Sequence, residues 1–175
     1  SAFTDEATNK TSYSLDLSFD KDNEPAMELS EKLKELDEII IKTVADNSKE
    51  WLGKAYDINV IREALYKPLV RQGKDDYPDT LKLKIMTKQT GEFLAEAYNS
   101  ARELISVDQI EKGQRCACIV DVNQIWFIDN KFGVSVRLSQ VLCEQSSKLP
   151  SFAFQGLDNN DVVDEDEYIE EEIDE

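Results

Sequence analysis

Residues 115–128, RCACIVDVNQIWFI, run through the turn Asp129-Asn130-Lys131-Phe132-Gly133 into residues 134–143, VSVRLSQVLC. The first run is dominated by β-branched and aromatic side chains, and the second alternates apolar with polar residues. Both patterns suit a pleated, half-buried surface, so the stretch reads as two strands joined by a turn. Working outward, LKLKIM at 81–86 alternates strictly, with Leu81, Leu83 and Ile85 inward and Lys82 and Lys84 outward. Residues 92–105, EFLAEAYNSARELI, are ambiguous. Their Ala, Glu, Leu and Arg favour helix, whereas Phe93, Ala95 and Ala97 alternate as a strand would. At 11–19, TSYSLDLSF puts Tyr13, Leu15, Leu17 and Phe19 on one strand face.

Two helices lie between these strands. Asn23, Glu24 and Pro25 open the first, since proline is tolerated in a first turn. Leu29, Leu33, Leu36, Ile40 and Val44 then recur at spacings of three and four and form an apolar stripe, with Trp51 and Leu52 closing the segment before Gly53. A second, shorter helix follows Asp57, groups Val60, Ile61, Ala64 and Leu65, and stops at Pro68. Both read as covers for a sheet. Phe152-Ala153-Phe154 adds a short final strand. Strands bracketing helices without βαβ alternation predict a mainly β chain with inserted helices (α+β), closing into a small, partly open barrel. The domain runs over 1–157 with a helical insertion at about 25–68, and 158–175 is an acidic disordered tail.

Composition narrows the chemistry. The chain has 175 residues, 41% of them hydrophobic, which is enough for a real core. It contains no histidine, which removes imidazole bases, Ser-His and Cys-His nucleophile pairs and His-bearing zinc sites. With six glycines it shows no P-loop, calcium loop or glycine-rich phosphate cradle. No catalytic residue, metal ligand or cofactor site is expected. The carboxylates Asp75-Asp76 and Asp121 with Asp129 read as turn formers and solubilising groups. Cys116, Cys118 and Cys143 are an odd number, the first two on one strand face, and read as small buried hydrophobes in a reducing, intracellular and non-secreted setting. No apolar run reaches the roughly 18 residues a membrane span needs. Net charge is −17, but residues 158–175 carry eleven acids and no base, which leaves −6 for 1–157. The extreme average therefore describes the tail.

The segments YPDTLKLKI, VDQIEKGQRCACIVDVNQIWF, NKFGVSVRLSQV and FAF, followed by an acidic end, span Tyr77 to Phe154 and beyond. This stretch resembles the single-stranded DNA-binding proteins of nucleocytoplasmic large DNA viruses, which in turn resemble the replication single-strand binders of podovirus-type phages. The resemblance covers about half the chain, and the helical region around KEWLGKAY and YKPLV more loosely. It implies a five-stranded, partly open OB-fold barrel with helical insertions, extended chain at 92–98, no enzymatic activity, and a tail that contacts replication enzymes. One departure stands out: phage relatives end in an aromatic residue, and this chain ends Ile173-Asp174-Glu175.

Non-specific single-strand binding requires cations along the phosphates and flat rings for base stacking. Lys67, Arg71, Lys74, Lys82, Lys84 and Lys88 lie within 22 positions of one another. Lys82 and Lys84 leave one strand face about 7 Å apart, near the phosphate spacing of an extended strand. Alone they would pass for an ordinary solvated face; with the resemblance they read as phosphate contacts, extended by Lys131, Arg137 and Arg115. Tyr77, beside Pro78, is a candidate exposed stacking ring. Trp126 and Phe127 must face opposite sides, and Trp126 is either a base-stacking residue or core. Asp121 and Gln124, three apart, leave open which side is wet. Phe19, Phe152 and Phe154 read as core.

The implied function is the coating and protection of single-stranded DNA during viral replication, recombination or repair, in the cytoplasmic viral factory or the nucleus of a host. Asp164, Glu165, Asp166, Glu167, Tyr168, Ile169, Glu170, Glu171 and Glu172 would recruit the replicative DNA polymerase and helicase-primase. Tyr168 and Ile169 stand in for the missing terminal aromatic. A polyanionic tail would also occupy the cationic groove until DNA displaces it. A homodimer is compatible with this reading. The rival is an acidic adaptor or histone-chaperone-like module that binds basic partners through its tail.

Overall fold

The structure is a computed structural model that describes residues 1–145. The strand expected at 152–154, with Phe152 and Phe154, and the tail at 158–175 lie outside the described residues. Strands β1 (Ala2–Asp5) and β2 (Lys10–Ser18) form an antiparallel hairpin. Helix α1 (Glu24–Asp46) starts where the sequence places it: the Asn23 side chain accepts the Ala26 N–H at 3.1 Å and satisfies an end donor. Leu33, Ile40, Ile41 and Val44 are buried, but Leu29 is 46% exposed, so the apolar stripe begins one turn later than its spacing suggests. A short helix α2 (Ser48–Trp51) follows. Asp57 caps α3 (Ile58–Val60), which widens into a π-turn at Ile61–Leu65 and buries Ile61 alone of the expected group. The helix ends before Pro68, because Tyr66–Lys67 is already a strand, β3.

The remaining strands are β4 (Val70–Arg71), β5 (Thr80–Ile85), β6 (Glu96–Tyr98), β7 (Leu104–Ile105), β8 (Cys116–Ile128) and β9 (Lys131–Cys143). No helix forms within 92–105: Glu96–Tyr98 and Leu104–Ile105 are strands joined by a turn at Asn99 to Arg102, with Ala95 and Ala97 buried, so the alternation of small apolar residues outweighs helix propensity there. Nine strand segments, rather than five, form one sheet among the described residues. β9 organises it. One edge pairs along its whole length with β8; the other meets β3 at Phe132 and Gly133, β5 at Arg137, and β6 at Gln140 to Leu142. A strand whose edge is shared among three others belongs to a curled, open sheet. The turn is tighter than the five residues read from sequence. Asp129 and Asn130 alone form it, both left-handed at φ 49° and 62°, a geometry whose twist matches the flanking strands.

Two apolar clusters fill the inside. One joins Phe19, Leu81, Leu83, Ile85, Ala97, Val136, Leu138 and Val141; the other joins Ile40, Ile41, Val44 and Ile61 of the helices to Tyr66 and Phe132. Buried Asp37 on α1 ties the helix to the chain beyond β3. Its carboxylate accepts the Tyr66 hydroxyl and, at 3.1 Å, the Leu69 N–H. Burial nevertheless pushes the Asp37 carboxyl above its ordinary range, as expected when a charge leaves water.

Candidate nucleic-acid interface

Cross-strand partners share a sheet face, and faces alternate along each strand. On β5, Leu81, Leu83 and Ile85 point in, and Lys82 and Lys84 point out. Lys84 stands opposite Arg137 on β9, and Arg137 opposite Asp121 on β8. On the other side of β5, Lys84 meets Ser14 and Lys82 meets Asp16. Arg71 pairs with Thr80 on the same outer face, because its neighbour Val70 pairs with buried Leu81. Nearer the hairpin turn the outer residues of β9 are Ser135, Gly133 and Lys131, opposite Gln124, Trp126 and Ile128. Lys67 lies beside Gly133 from β3, while Tyr66 and Phe132 beside them face the core.

A bulge fixes which side is wet. Val122 pairs with Val136 and Gln124 with Ser135, so Asn123 is the extra residue. Asp121 and Gln124 therefore share the outer face, three residues apart, where strict alternation would have separated them. Trp126 falls outside with them, half-buried, and Phe127 turns in to stack on Phe132 at 5.4 Å between ring centres while remaining 45% exposed. Neither ring is fully core.

Gly133 explains how the indole lies down. A Cβ at this position would stand 2.8 Å from Trp126 Cζ2 and 3.0 Å from the Lys67 carbonyl oxygen. Only glycine lets the ring rest on the β9 backbone at that height. The result is an indole close against the β9 backbone at Gly133, with Lys67 on the strand beyond the glycine and Lys131 two residues away on β9. Lys67 is the site residue that the sequence left unassigned. Its basic character was visible, but its parallel pairing with β9, across 66 positions of chain, was not.

The other expected residues divide into two groups. Lys82, Lys84, Arg137, Lys131 and Trp126 come together on the outer face. Among the described residues, none of Lys67, Arg71, Lys82, Lys84 and Lys131 forms an ion pair with a carboxylate. Arg137 donates to Asn123 Oδ1 on the bulge. Tyr77 is 75% exposed on the loop between β4 and β5. That loop is pinned by Asp79, which accepts the Gly73 N–H at 3.0 Å and meets Lys34 at 3.2 Å. Lys88 and Arg115 do not join the group. Lys88 pairs with Glu92 at 3.0 Å in the loop after β5, and Arg115 pairs with Asp20 at 2.9 Å, next to the far end of β8. Roughly 35 Å of strand separates Arg115 from Trp126. Residues 164–172 lie outside the described residues.

An aromatic ring bordered by cations without a carboxylate partner among the described residues, on a sheet exterior that carries Ser135 and Gln124, can hold a planar apolar group beside an extended polyanion. Asp16 and Asp121 temper the positive field at its edge. A family model matches residues 14–156 of the chain. The chain belongs to the family of unknown function DUF5871. No curated protein shows a significant sequence match to this DUF5871 member. In fold it is similar to the single-stranded DNA-binding protein from bacteriophage Enc34 in complex with ssDNA. That match has 14% identity and a TM-score of 0.50, and it covers 84% of this chain and 78% of the phage protein. A second structure of the single-stranded DNA-binding protein from bacteriophage Enc34 gives 15% identity and TM-score 0.46 over 86% and 76% of the two chains; its C-terminal truncation gives 14% and 0.46 over 78% and 75%. At this identity the likeness speaks to fold: a mainly β, half-barrel sheet consistent with an OB-like architecture.

Proposed function

We propose that this DUF5871 member binds single-stranded DNA with little sequence preference on the outer face of β3, β5, β8 and β9. The observation that carries the reading is Trp126 laid on Gly133 with Lys67 and Lys131 beside it, continuous with Lys82, Lys84 and Arg137. Stacking gives each base a sequence-tolerant hold, and the cations follow the backbone. Tyr77 and Arg71 extend the same surface at the β4–β5 loop. The fold shared with a phage protein solved with ssDNA supports this choice over other extended polyanions. The biological setting we infer is viral DNA replication, recombination or repair, as in nucleocytoplasmic large DNA viruses. The acidic tail would compete with DNA for the cationic face and recruit polymerase and helicase-primase once displaced.

Titration of labelled oligothymidylate, followed by fluorescence anisotropy across a salt series, tests the site. Each phosphate contact contributes about −0.7 to the log-log salt slope. The double variant Lys82→Glu/Lys84→Glu should flatten the slope and weaken binding, and Trp126→Ala should weaken it by roughly 1–3 kcal/mol. Unchanged affinity and slope in both variants would remove this face. Absence of any binding by the full chain would favour the acidic adaptor reading. Truncation after Leu157 should raise affinity most at low salt, where the tail's charge is least screened.

A further inference from the structure

The opposite end of the β8–β9 hairpin gathers the three cysteines. Cys116 and Cys118 share a face of β8, half-buried, with their sulfurs 3.8 Å apart. Cys143 on β9 is the cross-strand partner of Cys116 and is fully buried. All three are free thiols. Sulfurs at this distance are in contact, and one thiol donates to the other. Either thiol can donate in this contact, which lowers the Cys116 thiol to about 7 and raises that of Cys118. Burial and the Glu144 carboxylate oppose the change at Cys116, so the contact between sulfurs decides its direction. A thiolate with solvent access and a second thiol in contact is the arrangement that hydroperoxides oxidise selectively.

We propose that Cys116 and Cys118 form a reversible, peroxide-oxidised dithiol site. The Cys116 thiolate attacks one oxygen of hydrogen peroxide. The O–O bond breaks, hydroxide leaves and is protonated to water, and Cys116 becomes a sulfenic acid. The Cys118 sulfur then attacks Cys116 Sγ; the S–O bond breaks, the S–S bond forms, and the second oxygen leaves as water with the Cys118 proton. Two thiols are oxidised and one peroxide is reduced to two waters. Residues i and i+2 of a strand lie about 6.6 Å apart, near the upper end of the Cα separation a disulfide spans, so this bond is strained and easily reduced. Cys143 sits behind the pair, cut off from solvent.

The test treats the reduced full chain with hydrogen peroxide, alkylates it under denaturing conditions and maps thiols by mass spectrometry. The expected result is the loss of two of three alkylatable thiols, a Cys116–Cys118 bond within one chain, and full return with dithiothreitol. In Cys118→Ser the reaction should stop at a dimedone-reactive sulfenic acid on Cys116. In Cys143→Ala the loss of two thiols should persist. Three thiols left free in the wild type, a bond mapped to Cys143, or links between molecules would each overturn the assignment. The wild-type mapping needs no variant, so a misfolded mutant leaves the answer intact.

Discussion

The two faces of β9 show how one strand serves two purposes. Its inner residues Phe132, Val136, Leu138, Val141 and Cys143 are buried. Its outer residues Lys131, Gly133, Ser135 and Arg137 offer charge, a flat place for an indole, and hydrogen-bonding groups. The inner set is chosen for volume and the outer set for what it leaves unfilled. Gly133 belongs to both: it is buried, yet its missing side chain seats the outer tryptophan. Stability and the proposed DNA binding are thus separated by a few ångströms of backbone, and substitutions on the two faces should fail differently.

The largest effect should come from within. Phe132→Ala removes a ring packed between Tyr66 and Phe127 and should reduce stability by about 3–5 kcal/mol, read by urea denaturation. Phe127→Ala, half in solvent, should reduce it by clearly less; equal losses would mean that β8 shares the core fully and that the contrast is wrong. Gly133→Ala should be next, about 1–3 kcal/mol, because the new methyl displaces Trp126. In a Trp51→Phe background the remaining emission should shift to the red. Unchanged emission and stability would show that the indole does not rest on the glycine.

A smaller effect, on the helix that covers the inner face, depends on pH. The Asp37 carboxyl titrates above its unfolded value of 3.8. Its contribution to stability is therefore fully present below that value and is lost as pH rises through the folded pKa. Asp37→Asn cannot ionise, so its stability relative to wild type should improve as pH rises through that window and then level off. A difference that stays flat from acid to neutral pH would show that burial does not penalise this carboxylate. The least effect on folding belongs to Lys131→Gln, within about 0.5 kcal/mol, yet it should reduce the DNA salt slope by about 0.7. Loss of folding without a change in slope would reverse the assignment of faces.

Much of this was legible in the chain. The alternation of 81–86 and 134–143, the Asn23 cap and the covering role of α1 depend on neighbours in sequence, and each lies where local chemistry puts it. Lys82 and Lys84 could be placed outward from period two alone. The missed features are those that involve a change of register or distant pairing. Trp126 could not be assigned a face because Asn123 interrupts the alternation, and Lys67 could not be joined to it without the parallel β3–β9 pair. Lys88 and Arg115 carry the right charge, but Glu92 and Asp20 occupy them. Charge can be counted in a sequence; whether it is already engaged is a tertiary fact.

The bulges carry one more consequence, for how this hairpin tolerates insertions and deletions over generations. A strand ordinarily cannot lose a residue, because everything beyond the gap turns inside out. At Asn123 the rule is suspended. Val122 faces Val136 and Gln124 faces Ser135, so excising Asn123 would leave every pair in place and every side chain on its side. Ser139 is the extra residue on β9, between the residues that pair with Val120 and Ile119, but β9 also holds β5 at Arg137 and β6 from Gln140, so its removal would shift that edge. Asn123 is the spare letter in the hairpin, where the length of β8 can drift while its inside and outside keep their meaning.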